Sequence, residues 1–556
     1  MTSYMKRFCT PQHLILLSAS FVLLYFAALP LFLLILKSLS PENIESYQEL
    51  LKQSNWIALL NTLKLCLITT SMTVVIGVPL AWLLHKTDLP KKSLWKSLFA
   101  IPYIIPPYIG AIAWIKLLNP NSGNLNLLLM QVFGLEKAPF NIYSLLGTSF
   151  ILGLFFYSFI FLSCINALEK MDDALEEAAR TCGASRLKTF KDITLPLLTP
   201  ALASGMILVF MATAASFGVP ALVAMPERIF VLTTKIYTHV LSYSGGISKA
   251  SALAMVLMAV GFLGLWLSTL LLRNKRYTTL TGKFGKGDLI HLKKMKWPTV
   301  FGLSTVWFCL VALPLLTIVI SSFLKVYGGE LTLSNMSLAK YKYVLFGFSQ
   351  TGKAFKNSLI FAVIASTLSV FIGAFVAYLK AKTQMKGRNL IDFFATLPYV
   401  TPGIVVAIAL ILTFSGNLGL NLYNTLWILI VAYTVKYISF AIRNTVAALE
   451  QVDTSLEEAG KTCGAGWLKV FFTILIPILK PTLIASWFLI FMPTFSELTM
   501  SILLVGPETE TIGTLLFNLQ NYDDPQSACV LATVIVCVIL TANFTVKKLT
   551  QGKYGV

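Results

Sequence analysis

Apolar runs of twenty or more residues recur along nearly the whole chain, and no other feature restricts its fold so strongly. A helix needs ~20 apolar residues to cross the hydrocarbon of a bilayer. In that medium every backbone polar group must find its partner within the segment, so runs this long span as helices. They fall at about 13–36, 57–84, 94–118, 142–167, 196–217, 250–272, 298–323, 355–380, 390–414, 423–448, 477–499 and 527–546. The expectation is an all-α polytopic membrane protein of about 12 transmembrane helices. Only 12% of the residues are charged, against ~25% in soluble domains. The first run follows Lys6 and Arg7 and covers about 24 residues, beyond the ~7–15 of a signal peptide's apolar region. It reads as an uncleaved first span.

Net charge is +20, a value that in a soluble chain suggests nucleic acid. Its placement argues otherwise. Basic residues gather between alternate apolar runs: Lys6 and Arg7; His85, Lys86, Lys91, Lys92 and Lys96; Arg180, Arg186, Lys188 and Lys191; Arg273 to Lys296; Lys380 to Arg388; Lys547, Lys548 and Lys553. This is the positive-inside pattern, with a preference for anionic headgroups of the lipid bilayer. It excludes nucleic acid as partner and puts both termini in the cytoplasm. The eight cysteines are scattered, with no C-x-x-C pair and no histidine at ligand spacing, so neither a disulfide framework nor a metal site is expected.

The chain repeats itself. Asn61, Ile76, Gly77, Ala81, Lys86 and Thr87 match Asn357, Ile372, Gly373, Ala377, Lys382 and Thr383, all 296 positions later, as do Pro102, Tyr103 and Pro106 with Pro398, Tyr399 and Pro402. Glu169, Asp172, Glu177, Gly183 and Pro196 match Glu450, Asp453, Glu458, Gly464 and Pro477 at an offset of 281. The first half therefore holds 15 extra residues, which the polar stretch Asn119 to Asn141 accommodates. Two six-helix halves that both start inside form a parallel repeat. The division is residues 1–280, a basic cytoplasmic linker 281–297, and residues 298–556.

The most specific pattern lies in the loops 169–196 and 450–477. The first reads Glu177-Ala178-Ala179, three residues, Gly183, nine residues, Ile193-Thr194-Leu195-Pro196. The second reads Glu458-Ala459-Gly460, three residues, Gly464, nine residues, Ile474-Leu475-Ile476-Pro477. Asp173 with Glu176, and Thr454 with Glu457, have capping-box spacing. The acids Asp172, Glu176 and Glu177 suit a helix N-terminus, Gly183 and Gly464 a left-handed C′ position, and Pro196 and Pro477 the first turn of the next span. Each loop thus predicts a short helix, a turn, a second short helix and then the membrane. Two copies in register on the cytoplasmic side are hard to ascribe to chance.

This spacing resembles the EAA loop of ATP-binding-cassette (ABC) importer permeases; the second copy departs at Gly460 and Ile476. The resemblance implies a type I ABC importer permease fold, with Glu177, Ala178, Ala179, Gly183, Ile193, Leu195, Pro196, Glu458, Ala459, Gly464, Ile474 and Pro477 forming the ATPase-docking loops. It implies as partners two copies of a cytoplasmic ABC ATPase and an extracytoplasmic substrate-binding protein, in a bacterial plasma (inner) membrane. No catalytic residue is expected here. A phosphate-binding loop needs G-x-x-x-x-G-K-[ST], and Gly282 to Gly287 is followed by Asp288. ATP and Mg would be bound by the partner, and this chain needs no cofactor.

For the passenger, Glu497 is the only acid of its run, and its repeat partner is Ser216. An intramembrane carboxylate points to a substrate pathway and favours a cation; the plainer reading is that Glu497 meets water at a span end. Lys64, Lys116, Lys436 and Arg443 are expected to snorkel. The stretches Pro106 to Ala111 with Trp114, Ser216 to Pro220, and Gly506 to Gly513 are similar to permeases of the iron(III) branch. Thiamine, polyamine and aminoethylphosphonate permeases share much of this pattern. An ion-coupled secondary transporter would need ionisable residues in several spans. A membrane enzyme would need clustered His, Asp or Cys, and the chain has four histidines.

Overall fold

Prolines decide where the long apolar runs bend. In the computed structural model, which describes residues 11–40, 47–172, 174–242, 246–273, 289–325, 332–385, 387–416, 420–522 and 524–549, ten helices are long and apolar enough to cross a membrane. They are Leu17–Ser38, Gln53–Lys86, Leu145–Leu168, Arg186–Ala215, Gly246–Gly264, Lys293–Phe323, Ser349–Lys382, Leu426–Leu449, Trp467–Phe495 and Pro525–Leu549. The runs at 94–118 and 390–414, read from sequence as single spans, are instead broken pairs. Lys92–Tyr103 meets Pro107–Leu118 at 91°, and Arg388–Val400 meets Gly403–Phe414 at 112°. The residue before a proline is pushed out of the helical region. Pro106 before Pro107 accordingly has ψ 128°, and Thr401 before Pro402 has ψ 132°.

Each broken pair still carries the chain from one end of its neighbour to the other. Lys96 pairs with Glu169 at the C-terminal end of Leu145–Leu168, 2.8 Å apart. Trp114 packs against Phe150, and Asn119 donates to the Tyr143 hydroxyl, at the N-terminal end. Counting each pair as one crossing gives the twelve expected.

Within a repeat the helices approach closely where side chains are smallest. A Cβ on Gly77 would lie 2.9 Å from Ile160, and one on Gly373 would lie 2.8 Å from Ala441. Close backbone approach at small residues is how helices associate where lipid removes the hydrophobic drive. Glycines 296 positions apart thus serve matched contacts.

The compact units do not follow chain order. One comprises Met1–Lys52, Ile236–Met258 and Ala339–Val556, the other Gln53–Lys235 and Ala259–Leu338. The first span therefore packs within the unit built by the second half: Tyr25 and Phe26 contact Phe414, and the Lys37 amine donates to the Leu412 carbonyl at 3.1 Å. Helix Lys293–Phe323 belongs to the other unit, where the Trp307 indole donates to the Leu98 carbonyl.

The extra residues of the first half form helix Asn124–Phe133. Its Asn126 donates to the carbonyls of Asn119 and Phe140 and accepts from the Phe140 amide. Of the linker 281–297, residues 281–288 lie outside the described residues. The portion that follows is strapped to the end of Gln53–Lys86: Ile290 N–H donates to the Lys86 carbonyl, and Asp88 N–H to that of Ile290.

Candidate functional site

The two loops fold alike. In the first, Asp172 Oδ1 accepts the Ala174 amide at 3.0 Å, which starts helix Ala174–Thr181. In the second, Asp453 Oδ1 accepts the Ser455 amide at 2.9 Å and starts Ser455–Thr462. The Ser455 backbone N–H, followed by its hydroxyl and by Lys382, holds the Asp453 carboxyl below the usual carboxylate range. Gly183 and Gly464 end the helices at φ +85° and +80°. Ala184 N–H donates to Ala179 O, and Gly183 N–H to Arg180 O; Ala465 and Gly464 repeat this with Gly460 and Lys461. The paired bonds, six residues to one and five to two, make each end a Schellman motif.

Two expectations need correction. Thr454 is helical and caps nothing with its side chain; Asp453, one residue earlier, takes that role, so the spacing of Thr454 and Glu457 is not a capping box. Asp173 lies outside the described residues. Nor does the second short helix stop before the membrane. A five-residue π turn, Phe190–Thr194, joins it to Leu195–Ala215, and Phe471–Leu475 joins its counterpart to Ile476–Phe495. A proline cannot donate to the preceding turn, and a π-bulge is a common way to absorb such a gap inside a helix.

The glutamates assigned to the boxes turn inward instead. Glu176 Oε1 accepts the Thr194 hydroxyl at 2.6 Å, and its Oε2 is 2.9 Å from the Lys86 amine. Glu457 Oε2 accepts the Tyr378 hydroxyl at 3.0 Å, with Lys382 3.7 Å from Oε1. The hydroxyl has changed places between the repeats. Where the first has Thr194 and Trp82, the second has Leu475 and Tyr378.

Outward, each loop offers a surface. Glu177, Ala178 and Gly183 are exposed, as are Glu458, Ala459 and Gly464. Ala179, Ile193, Leu195, Pro196 and Ile474 are half-buried behind them, and Pro477 is exposed on the membrane helix. Gly460 is buried because a Cβ there would lie 3.0 Å from Val470 and from Ile474, which accounts for the departure from alanine. Sequence reasoning passed over the apolar part of this surface. Leu175 and Leu187 are 51% and 77% exposed, Leu456 and Leu468 43% and 39%. Both pairs keep the offset of 281, the one signal that singles them out from other leucines.

Ser216 and Glu497 each begin a hairpin after a long helix, largely buried but exposed at its tip, 226–228 and 507–508. The Ser216 carbonyl accepts the Thr233 hydroxyl at 2.8 Å. Glu497 does not meet water at a span end: it is 8% exposed, and its oxygens accept the amides of Met500 and Ser501 and the Ser501 hydroxyl at 2.9, 2.9 and 2.6 Å. It caps the turn Ser501–Leu504. Lys436 does not snorkel either. Its amine donates to the carbonyls of Pro398, Tyr399 and Thr401, at the broken end of Arg388–Val400. Lys116 is buried at 9% exposure, whereas Lys64 and Arg443 are exposed. No three His, Cys, Asp or Glu side chains gather as a metal-ligand group among the described residues.

Residues 67–277 and 369–550 match the family described as binding-protein-dependent transport system inner membrane component. A ferric transport system permease protein of Actinobacillus pleuropneumoniae is 25% identical over 83% of this chain and 66% of its own length. The chain thus spans about two thirds of that relative. An Fe(3+)-transport system permease protein of Haemophilus influenzae is 24% identical over 86% of this chain and 87% of its own. The sulfate transport system permease protein CysT of Escherichia coli is 29% identical over 40% of this chain and 84% of its own.

Proposed function

The chain belongs to the binding-protein-dependent transport system inner membrane components, and from that premise we propose that it translocates ferric ion inward as the permease of an ABC importer. The observation that carries the mechanism is the pair of Schellman-closed loops, each presenting an exposed glutamate, alanine and two leucines at matched positions. An exposed apolar pair beside a shallow alanine surface suits the groove of another protein. Each loop seats one copy of a separate ATPase, which binds ATP and Mg, while this chain carries no hydrolytic step. The substrate is released by an extracytoplasmic binding protein and passes through the membrane to the cytoplasm. Ferric ion is favoured because two relatives matched over most of this chain carry that substrate in their names, whereas the sulfate permease matches less than half of it. Both termini and both loops face the cytoplasm, in keeping with the distribution of basic residues.

Two exposed thiols provide the test. Cys182 and Cys463 lie immediately before the two motif glycines and are exposed. A membrane-impermeant maleimide should reach them in inverted vesicles and not in intact cells. Bound ATPase should protect them. Labelling from outside the cell, or no protection by the ATPase, would exclude the docking assignment. ATP-dependent uptake of radiolabelled ferric ion, with none of thiamine, putrescine or aminoethylphosphonate, tests the substrate.

A further inference from the structure

One helix in each repeat touches both the docking loop and the hairpin. These helices, Gln53–Lys86 and Ser349–Lys382, have 34 residues each, about 51 Å at 1.5 Å per residue. At the C-terminal end, Lys86 meets Glu176 with side chains 9% and 17% exposed, and Lys382 meets Glu457 with both at 8%. Near the N-terminal end, Asn61 Nδ2 donates to the Phe230 carbonyl at 3.0 Å, and Thr62 Oγ1 accepts the Leu232 amide at 2.9 Å. The second repeat does the same: Asn357 Nδ2 donates to the carbonyls of Glu508 and Glu510, both at 3.0 Å, and Ser358 Oγ accepts the Ile512 amide at 2.8 Å.

The chemistry of each tie fits its place. Leu232 and Ile512 open helices Leu232–Val240 and Ile512–Asn521, whose first amides have no partner within the helix. A hydroxyl from another helix serves as their cap, and the neighbouring asparagine holds the carbonyl just upstream. The segments so held are those that begin at Ser216 and Glu497. At the other end, a lysine and a glutamate this far from water do not separate without stranding a charge. The interval from asparagine to lysine is the same in both repeats, 61 to 86 and 357 to 382. No common local requirement links an asparagine at one end of a helix to a lysine at the other.

We propose that each of these helices is a coupling strut. Lys86 and Lys382 tie it to the docking helix, Asn61 and Asn357 tie it to the hairpin, and movement imposed on the loop reaches the hairpin through it. All four are positioning residues. The inference rests on the docking reading above. Spatial continuity alone does not establish coupling, so the test must read the hairpin while acting on the far end.

The reporter is Glu227→Cys, at an exposed position of the first hairpin, in a chain whose native cysteines are replaced. The permease is held in nanodiscs with the ATPase that co-purifies with it. The rate of labelling by an impermeant maleimide is compared without nucleotide and with ATP, Mg and vanadate. In the parent chain the two states should differ. Lys86→Met with Lys382→Met should abolish that difference while the ATPase stays bound, and Lys86→Glu with Glu176→Lys should restore it in the first repeat. A nucleotide response that persists in the lysine variants overturns the proposal. So does loss of the ATPase from those variants, since the lysines would then merely build the seat. Should the lysine variants fail to fold, Asn61→Leu with Asn357→Leu decides from the opposite end: loss of the response with the ATPase retained supports the strut, and an unchanged response refutes it. Failure of the parent chain to bind any ATPase would instead refute the docking reading.

Discussion

Gly183 and Gly464 offer a clean perturbation, because a Cβ at either position meets no atom within 4 Å. Substitution there adds no clash, and its whole cost is the left-handed backbone, φ +85° and +80°. For L-residues that conformation costs roughly 1–2 kcal/mol, with asparagine the better-tolerated exception. The free loop can shed the strain by opening its Schellman motif. A loop seated in an ATPase groove cannot, so the strain should appear as lost affinity. Gly183→Ala should weaken ATPase binding about fivefold for a cost of about 1 kcal/mol. The same change at both glycines should weaken each seat about fivefold, so that the overall constant for loading two ATPase copies falls about thirtyfold, since the two sites lie in different compact units. Gly183→Asn should bind nearly as the parent does, and Gly183→Val should be the worst of the series. The assay is titration of nanodisc-held permease with the purified ATPase, read by protection of Cys182 and Cys463. The reasoning fails if asparagine proves as damaging as valine, because bulk at the interface would then be the cause rather than backbone strain.

Lys436 satisfies three carbonyls at the break after Arg388–Val400, and hydrogen bonds from a charged donor are worth about 1.5–3 kcal/mol each at most. Lys436→Met should lower the thermal midpoint of the purified protein by several degrees, with Lys436→Gln between; equal midpoints would remove the capping role. Asp88 is held below the usual carboxylate range, chiefly by the Leu292 N–H and further by His291 and Lys296. A depressed carboxyl adds stability that is present above its unfolded pKa of about 3.9 and is lost as pH falls through the folded value. Protease cleavage of the linker should therefore stay flat from about pH 8 to pH 5 and rise only below about pH 4. A rise already well above about pH 5 would refute the role given to Asp88.

The features legible in the sequence were those set by composition or by the chain's own repeat. Apolar runs revealed the crossings, and the matched glycines marked both the close helix contacts and the left-handed turns. Prolines at 102, 106, 398 and 402 were visible as a repeated set, yet the eye follows hydropathy through them, and hydropathy carries no angle. In the second loop the cap sits one residue before Thr454 because aspartate and threonine serve equally well in that role, and only geometry chooses between Asp453 and Thr454. Lys436 was misread for a related reason: snorkelling is the default for a lone lysine, and the three carbonyls that hold it sit 35 to 38 positions away. The ion pairs of Lys86 and Lys382 joined residues already matched at two different offsets, 296 and 281, but nothing linear connects those two registers. The grouping of the first span with the second half has no signature in the sequence of either half.

The displaced hydroxyl beside Glu176 and Glu457 bears on how such a chain can drift. Exchanging Thr194 for leucine alone would leave Glu176 short of a donor, and giving the first repeat a tyrosine at Trp82 while keeping Thr194 would crowd two donors onto one carboxylate. The passage from one arrangement to the other thus goes through an ill-fitting intermediate, and the halves are now parts cut to different gauges. A segment transplanted from one half to the other would bring its own missing or surplus donor with it. Two identical motors mounted on this permease would therefore face mounts of one outline but different internal joinery, an inequality that a homodimeric permease cannot have.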